Sequence, residues 1–397
     1  MNPSSSGWIN KFGHLVDQES LPYEDFNSLY RELKKNGFIY GVHLNIPAFI
    51  AVEHTLSEDE IAKINLLTAL YFTYIFEVGK TDFEAFVNTI FEYYQSLNVN
   101  KVSFLNKILT GSKTESQLEK LIDSRIYLSD NTFSRALGNS LTNSLLYVDI
   151  LIFMIYLRGN KNVMGHAQLL EYVTINIVYH ALNSKETHDS DAKLIQLLGS
   201  SLTYVDLDES KFDGNYSDLL TQKFTKNERD YFLDMACLTI WEDKTLDYTE
   251  TDYIFGLGKD LGKSKKVIEN ELEFVADFFE KNKDKIAYLS NKNLAVQFYD
   301  GMSKNVSKLI LRNSKRLKKE LTESRELVAL LSKSTVKDLS PEEKKKVQNQ
   351  LIDIFKSIPS LAIFMLPGGA ILLPIFIKLI PKLLPSAFDD NRIEENG

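Results

Sequence analysis

The prolines of this chain are crowded at one end. Pro359, Pro367, Pro374, Pro381 and Pro385 are five of the nine in 397 residues. Elsewhere apolar residues recur at helical spacing with little to interrupt them, and an interior proline is the strongest single breaker of a helix. This distribution points to an all-α protein. A multi-helical body comes first, followed by a C-terminal segment that is apolar but cannot form one unbroken helix. With 44% hydrophobic residues the chain has ample material for a core. Only residues 38–52 look extended, and no sheet is expected.

Residues 57–125 read as three or four helices, with Ser57 as N-cap and Glu60 as its capping-box partner. Two longer apolar helices are expected near 141–158 and 164–183. The apolar run 145–157 is too short to cross a bilayer and is followed at once by Arg158, so it belongs in a core. The expected division is an N-terminal helical domain (1–205), a polar linker (206–225), a second helical domain (226–299), a basic amphipathic helix (300–356), an apolar segment (357–388) and an acidic tail (389–397).

Several signals of chemistry fail on counting. Cys237 is the only cysteine, which excludes internal disulfides and multi-cysteine metal sites; it lies in an apolar run and is expected buried and reduced. Asp206, Asp208 and Ser210 open like a calcium loop, but the sixth position is Lys211 instead of Gly and the twelfth is Ser217 instead of Glu. Gly256, Gly258 and Gly262-Lys263-Ser264 miss the spacing of a phosphate loop. His166 and His180 lack the i, i+4 partner of a zinc helix. No nucleophile stands with a base and an orienting group. The expectation is a protein that is not an enzyme and has no cofactor. The polar, Ser-rich residues 1–7 do not resemble a secretory signal, and with a lone buried thiol the body is expected in a reducing cytoplasm.

Residues 226–282 read as three helices, the second capped by Thr249 and the third by Ser264. Asp243, Asp247 and Glu250 in the first turn, with Leu261, Gly262 and Ser264 in the second, resemble the TerB-like helical domains. Lys244 and Glu242 replace the Gly and Ala of that pattern. Asp243, Asp247 and Glu250 are weak candidates for a divalent-cation site, set against the simpler role of acids at a helix N-terminus.

The net charge of −8 hides an asymmetry: residues 301–356 hold 14 Lys and Arg against 7 Asp and Glu. On one helix, Lys304, Lys308, Arg312, Lys315 and Lys319 would fall within an arc of about 80°. Met302, Val306, Leu309, Leu317, Leu321, Val328 and Leu331 would lie on the opposite side. Such a row is a candidate surface for an anionic partner, lipid or nucleic acid. Residues 357–377 then run 21 positions without a charge, about 31 Å as helix and enough for a hydrocarbon core. Its prolines and Gly368-Gly369 break that helix, and freed backbone groups in lipid need other partners.

The run Lys378-Leu379-Ile380-Pro381-Lys382-Leu383-Leu384-Pro385-Ser386-Ala387-Phe388, with Leu372-Leu373-Pro374 before it, resembles the membrane-segment signature of the Letm proteins. Together with the middle domain and the start of the chain, the whole is similar to the bacterial Letm-related biofilm-associated proteins. The resemblance implies a protein on the cytoplasmic face of the inner membrane, with the C-terminal segment inserted through Pro359, Pro367, Gly368, Gly369, Pro374, Lys378, Pro381, Lys382 and Pro385. The anionic inner leaflet, the ribosome and a homo-oligomer through the apolar segment are the partners it implies. The resulting expectation is a membrane-associated scaffold; the alternative is a subunit of a cation/proton exchange system for potassium or calcium. Where the mitochondrial proteins carry a glutamate four residues before the Leu-Leu-Pro proline, this chain has Ala370, and an intramembrane carboxylate is the natural relay for transport. The family's ribosome-binding domain is expected after the membrane segment, and only nine residues follow Phe388.

Overall fold

The computed structural model describes residues 1–18, 22–52, 54–97, 114–126, 146–160, 162–184, 192–202, 220, 223–241, 248–286, 294–358, 361, 364–365 and 369–388. Among them the regular structure is sixteen α-helices and short 3₁₀ turns, with no strand. The body begins with α1 (Trp8–Gln18), α2 (Phe26–Lys35), α3 (Glu58–Val78), α4 (Phe83–Ser96), α5 (Glu115–Arg125), α6 (Leu146–Leu157), α7 (Val163–Asn183) and α8 (Ala192–Leu202). The Ser57 side chain accepts from the Glu60 amide, and Glu60 accepts from the Ser57 amide at 2.8 Å, the expected capping box. Gly79, at φ +73°, closes α3 in the left-handed conformation that a side chain would strain. Residues 38–52 form turns and irregular chain that bury Phe38, Ile39 and Tyr40.

α3 packs against α6, α6 against α7, and α7 against α8. Two buried ion pairs fix the positions of these helices. Arg125 reaches Asp149 through Nε at 2.5 Å and Nη2 at 3.0 Å, while the Tyr94 hydroxyl donates to the same carboxylate at 2.8 Å. The Tyr93 hydroxyl donates to the Asp149 carbonyl at 2.9 Å. A fully buried carboxylate is tolerable only with its lone pairs filled, and here α4 and α5 fill those of α6.

The second pair joins these helices to the next three. α9 (Lys226–Ile240), α10 (Tyr248–Asp260) and α11 (Lys265–Asn282) succeed one another close to the expected places. Thr249 lies inside α10 instead of capping it, and Ser264 precedes α11 without a side-chain cap hydrogen bond. A Thr225–Glu228 capping box starts α9. Lys34 of α2 pairs with Asp234 of α9 at 2.7 Å and also with Glu271 of α11. The Tyr30 and Tyr40 hydroxyls complete the shell of Asp234. Burial alone would depress the Lys34 ammonium, but the two carboxylates hold it above its usual range. Burial pushes Glu271 up, and the charge of Asp234 adds to that. α9 also packs along α7, so the core is continuous across the expected linker. Cys237 is buried there, and burial raises its thiol well above the ordinary range. Gly258 owes its place to packing: a Cβ would run into the Ile268 side chain where α10 meets α11.

The C-terminal lobe comprises α12 (Leu294–Arg312), α13 (Ser314–Glu323), α14 (Arg325–Ser334), α15 (Pro341–Ser357) and α16 (Leu373–Leu383). The expected single basic helix is three, broken at Asn313 and at Ser324, whose φ of −125° and ψ of 81° leave helical space. The Ser324 hydroxyl donates to Gln350 at 2.8 Å across the break. The apolar stripe survives both breaks, since Met302, Val306, Leu309, Leu317, Leu321, Val328 and Leu331 are all buried.

Candidate functional site: a basic row and a folded apolar segment

The prolines decide the shape of the apolar segment. α15 ends at Ser357, residues 369–371 form a single 3₁₀ turn, and among the described residues after it only 373–383 are α-helical. Pro374 lies in the first turn of α16, where its missing N–H is no loss, whereas Pro381 sits inside the helix near its end. The result is a folded-back unit instead of one span. Ile371, Leu373, Ile375, Phe376, Ile377 and Ile380 are buried. Phe355 of α15 stacks on Phe364 with centroids 4.7 Å apart, and both meet Phe376 edge-on, at 5.1 and 5.0 Å.

α16 packs on α12, α14 and α8, and the 369–371 turn also rests on α8. The Ala370 amide donates to the Glu171 carboxylate of α7 at 3.2 Å. The described part of the segment is therefore covered by the protein's own helices, and insertion into a bilayer would require it to leave α8 and α12. Among the described residues, α3 is the one helix long and apolar enough to cross a membrane, at a mean hydropathy of 1.3, and 72% of that stretch is buried inside the protein.

Of the expected membrane-segment residues, Pro359, Pro367 and Gly368 lie outside the described residues. Gly369 is buried, Pro374 and Pro381 are half-buried, and Lys378, Lys382 and Pro385 are exposed. In the basic row, Lys308 is half-buried on α12, and Arg312 on α12 with Lys315 and Lys319 on α13 are exposed; the side chain of Lys304 lies outside the described residues. The break at Asn313 thus divides the row between two helices.

Four of the lobe's acids are engaged elsewhere. Glu343 holds Lys333 at 2.5 Å, Glu326 holds Lys346 at 3.0 Å and Asp353 holds Lys356 at 2.6 Å. Glu320 accepts from the Ser357 hydroxyl at 3.1 Å. Among the described residues no carboxylate lies within 4.0 Å of Lys308, Lys315 or Lys319. Their charges remain for a partner.

Asp243 and Asp247 lie outside the described residues, as does the side chain of Glu250 in the first turn of α10. Among the described residues no three His, Cys, Asp or Glu side chains are grouped to hold a metal. The residue that sequence reasoning missed is Glu171. It is the one acid in the 21-residue apolar helix α7, and that isolation was the available signal.

The family described as LETM1-like, RBD matches residues 339–397. No curated protein and no solved structure matches the chain. The matched stretch takes in α15, the apolar turns and α16, so the ribosome-binding signature falls on the apolar segment itself, not after it as expected. It does not reach residues 226–282. The match supports a relation of this lobe to the Letm-related, membrane-associated proteins.

Proposed function

We propose that the protein is a non-enzymatic, membrane-associated adaptor whose C-terminal lobe docks on the ribosome. One observation carries this reading: the stretch matched as a ribosome-binding domain is folded into a lobe that buries most of its apolar residues, Leu311 and Val336 apart, and that leaves half-buried Lys308 and exposed Lys315 and Lys319 without carboxylate partners among the described residues. A surface whose cations have no carboxylate partners recognises phosphate, and ribosomal RNA is the densest phosphate surface in a cytoplasm. Affinity then comes from counterion release and falls steeply with salt. The helical body, keyed together by buried ion pairs, is the rigid part that such an adaptor would present to its other partners.

Docking of the same face on an anionic leaflet is the second reading. It is favoured by the 21 charge-free residues 357–377 next to the basic helices.

Co-sedimentation of the full chain with ribosomes, beside flotation with anionic vesicles, tests both. The first reading expects pelleting with ribosomes at about 50 mM salt and release by about 250 mM, with pelleting abolished in a Lys308→Glu/Lys315→Glu/Lys319→Glu variant. Flotation without pelleting moves the assignment to the membrane. Binding to neither removes both.

A further inference from the structure

Lysines from separate elements converge on one cleft at the seam between body and lobe. The cleft measures about 410 Å³. Lys337 enters from the connection after α14, Lys344 from the first turns of α15, and Lys378 and Lys382 from α16. Ser200 of α8 and Tyr299 of α12 also line it, and Leu197, Pro374, Ile375 and Ile377 give it an apolar side. Asp338 is the one acid in the lining, which leaves the cleft a net charge of +3.

Folding places these four lysines around one cleft, with Asp338 and the charge of Glu343, which attracts Lys337, as the opposing charges beside it. Among the described residues none of the four lysines has a carboxylate within 4.0 Å. The nearby Glu343 is occupied by Lys333 and by the Ser340 amide. Lys378 rests over the ring of Tyr299, 5.9 Å from its centroid, a contact that holds a cation without neutralising it. Gathering four ammonium groups around one concavity costs repulsion unless an anion enters.

We propose that this cleft binds a small soluble molecule carrying a diphosphate. Its volume falls in the usual range of small-ligand pockets, about 300 to 1,000 Å³. Each phosphate brings a charge of about −1.5 to −2, so a diphosphate matches the +3 where a single carboxylate or monophosphate would not. Lysines suit a tetrahedral polyanion because they are point charges on flexible stems, free of the planar demand of guanidinium. A ligand here would bridge α16 to α8 and so clamp the apolar segment to the body. The cleft opens at this seam, apart from Lys308, Lys315 and Lys319, and the assignment does not rest on ribosome binding.

Titration calorimetry of the full chain with sodium pyrophosphate in low salt tests the proposal. Saturable binding near one per chain is expected, weakened at least tenfold in Lys378→Gln/Lys382→Gln and several-fold in Lys337→Gln, a change on an exposed connection that leaves folding intact. An Arg316→Gln/Lys318→Gln control, outside the cleft, should bind as the unaltered chain does. Hydrogen exchange should slow in α16 when pyrophosphate is present. Absence of saturable binding, equal weakening in the control, or binding only to ribosomes or to vesicles containing phosphatidic acid would each overturn it.

Discussion

The body and the C-terminal lobe are both well packed, but they bury different things. Every buried polar or charged side chain among the described residues lies between Lys34 and Asp234. Among the described residues of the lobe formed by α12 to α16 the buried residues are apolar, Ser303 Oγ being a buried polar atom, and the charges stay at the surface or half-buried. Buried ion pairs are directional: Arg125 is compatible with the interior only where Asp149, Tyr93 and Tyr94 stand, and a misplaced partner leaves a charge unpaired. Apolar packing carries no such key. The lobe adheres to α8 by surfaces that a lipid tail or an apolar partner could also satisfy, and the one polar tie described at the start of α16 is the Ala370–Glu171 bond. The body is therefore built to hold one arrangement, and the lobe is built to be separable.

The largest expected effect breaks the key of the body. Asp149→Ala leaves Arg125 buried and unpaired and should cost about 3–5 kcal/mol, read as a fall in urea midpoint for the whole molecule. A loss below about 1 kcal/mol would show that the ion pair does not hold the body together. Phe376→Ala should cost about 3 kcal/mol, but locally. Limited proteolysis should cut within 340–388 while α3 and α6 stay resistant, and uniform loss of protection would show the lobe to be no separate unit.

These two regions were legible to different degrees for a physical reason. Helix caps and stripes are local: Ser57 with Glu60, the buried Cys237, the helices at Leu146–Leu157 and Val163–Asn183, and the apolar stripe from Met302 to Leu331 all follow from residues within a few turns of each other. The breaks at Asn313 and Ser324 carry neither proline nor glycine, so periodicity ran straight through them. The segment 357–388 read as membrane-like because hydropathy reports only that a stretch avoids water, not whether lipid or protein covers it. Glu171 and Ala370 are 199 residues apart, and no spacing rule connects them. Lys378 is legible in the sequence as part of the apolar segment's signature, but no spacing ties it to Lys344, and only the fold brings the two into one cleft.

Acid should discriminate the two regions at intermediate size. His43 is buried in the body beside Phe38, with neither ring nitrogen hydrogen-bonded among the described residues. Burial lowers its pKa from 6.5 to about 3. The unfolded chain takes up the proton that the folded chain refuses, so stability is full above pH 6.5 and falls as the pH drops toward 3. The loss at pH 5 is about 2 kcal/mol. His43→Phe should flatten that part of the pH dependence of the urea midpoint, and an unchanged slope would contradict the assignment. The smallest effect on stability is expected from Lys308→Glu/Lys315→Glu/Lys319→Glu, under about 0.5 kcal/mol per exposed site, although the same change should abolish ribosome pelleting. A large loss of helicity in that variant would mean the row is structural.

Hydrogen exchange across a urea series tests the central contrast most directly. α16 should be protected in water, since Phe376, Ile377 and Ile380 are buried, yet open with a lower free energy and a smaller urea dependence than α3 and α6, as an apolar lobe leaving a keyed body would. Exchange of α16, α3 and α6 with one free energy and one urea dependence would contradict that contrast, because body and lobe would then be a single cooperative unit.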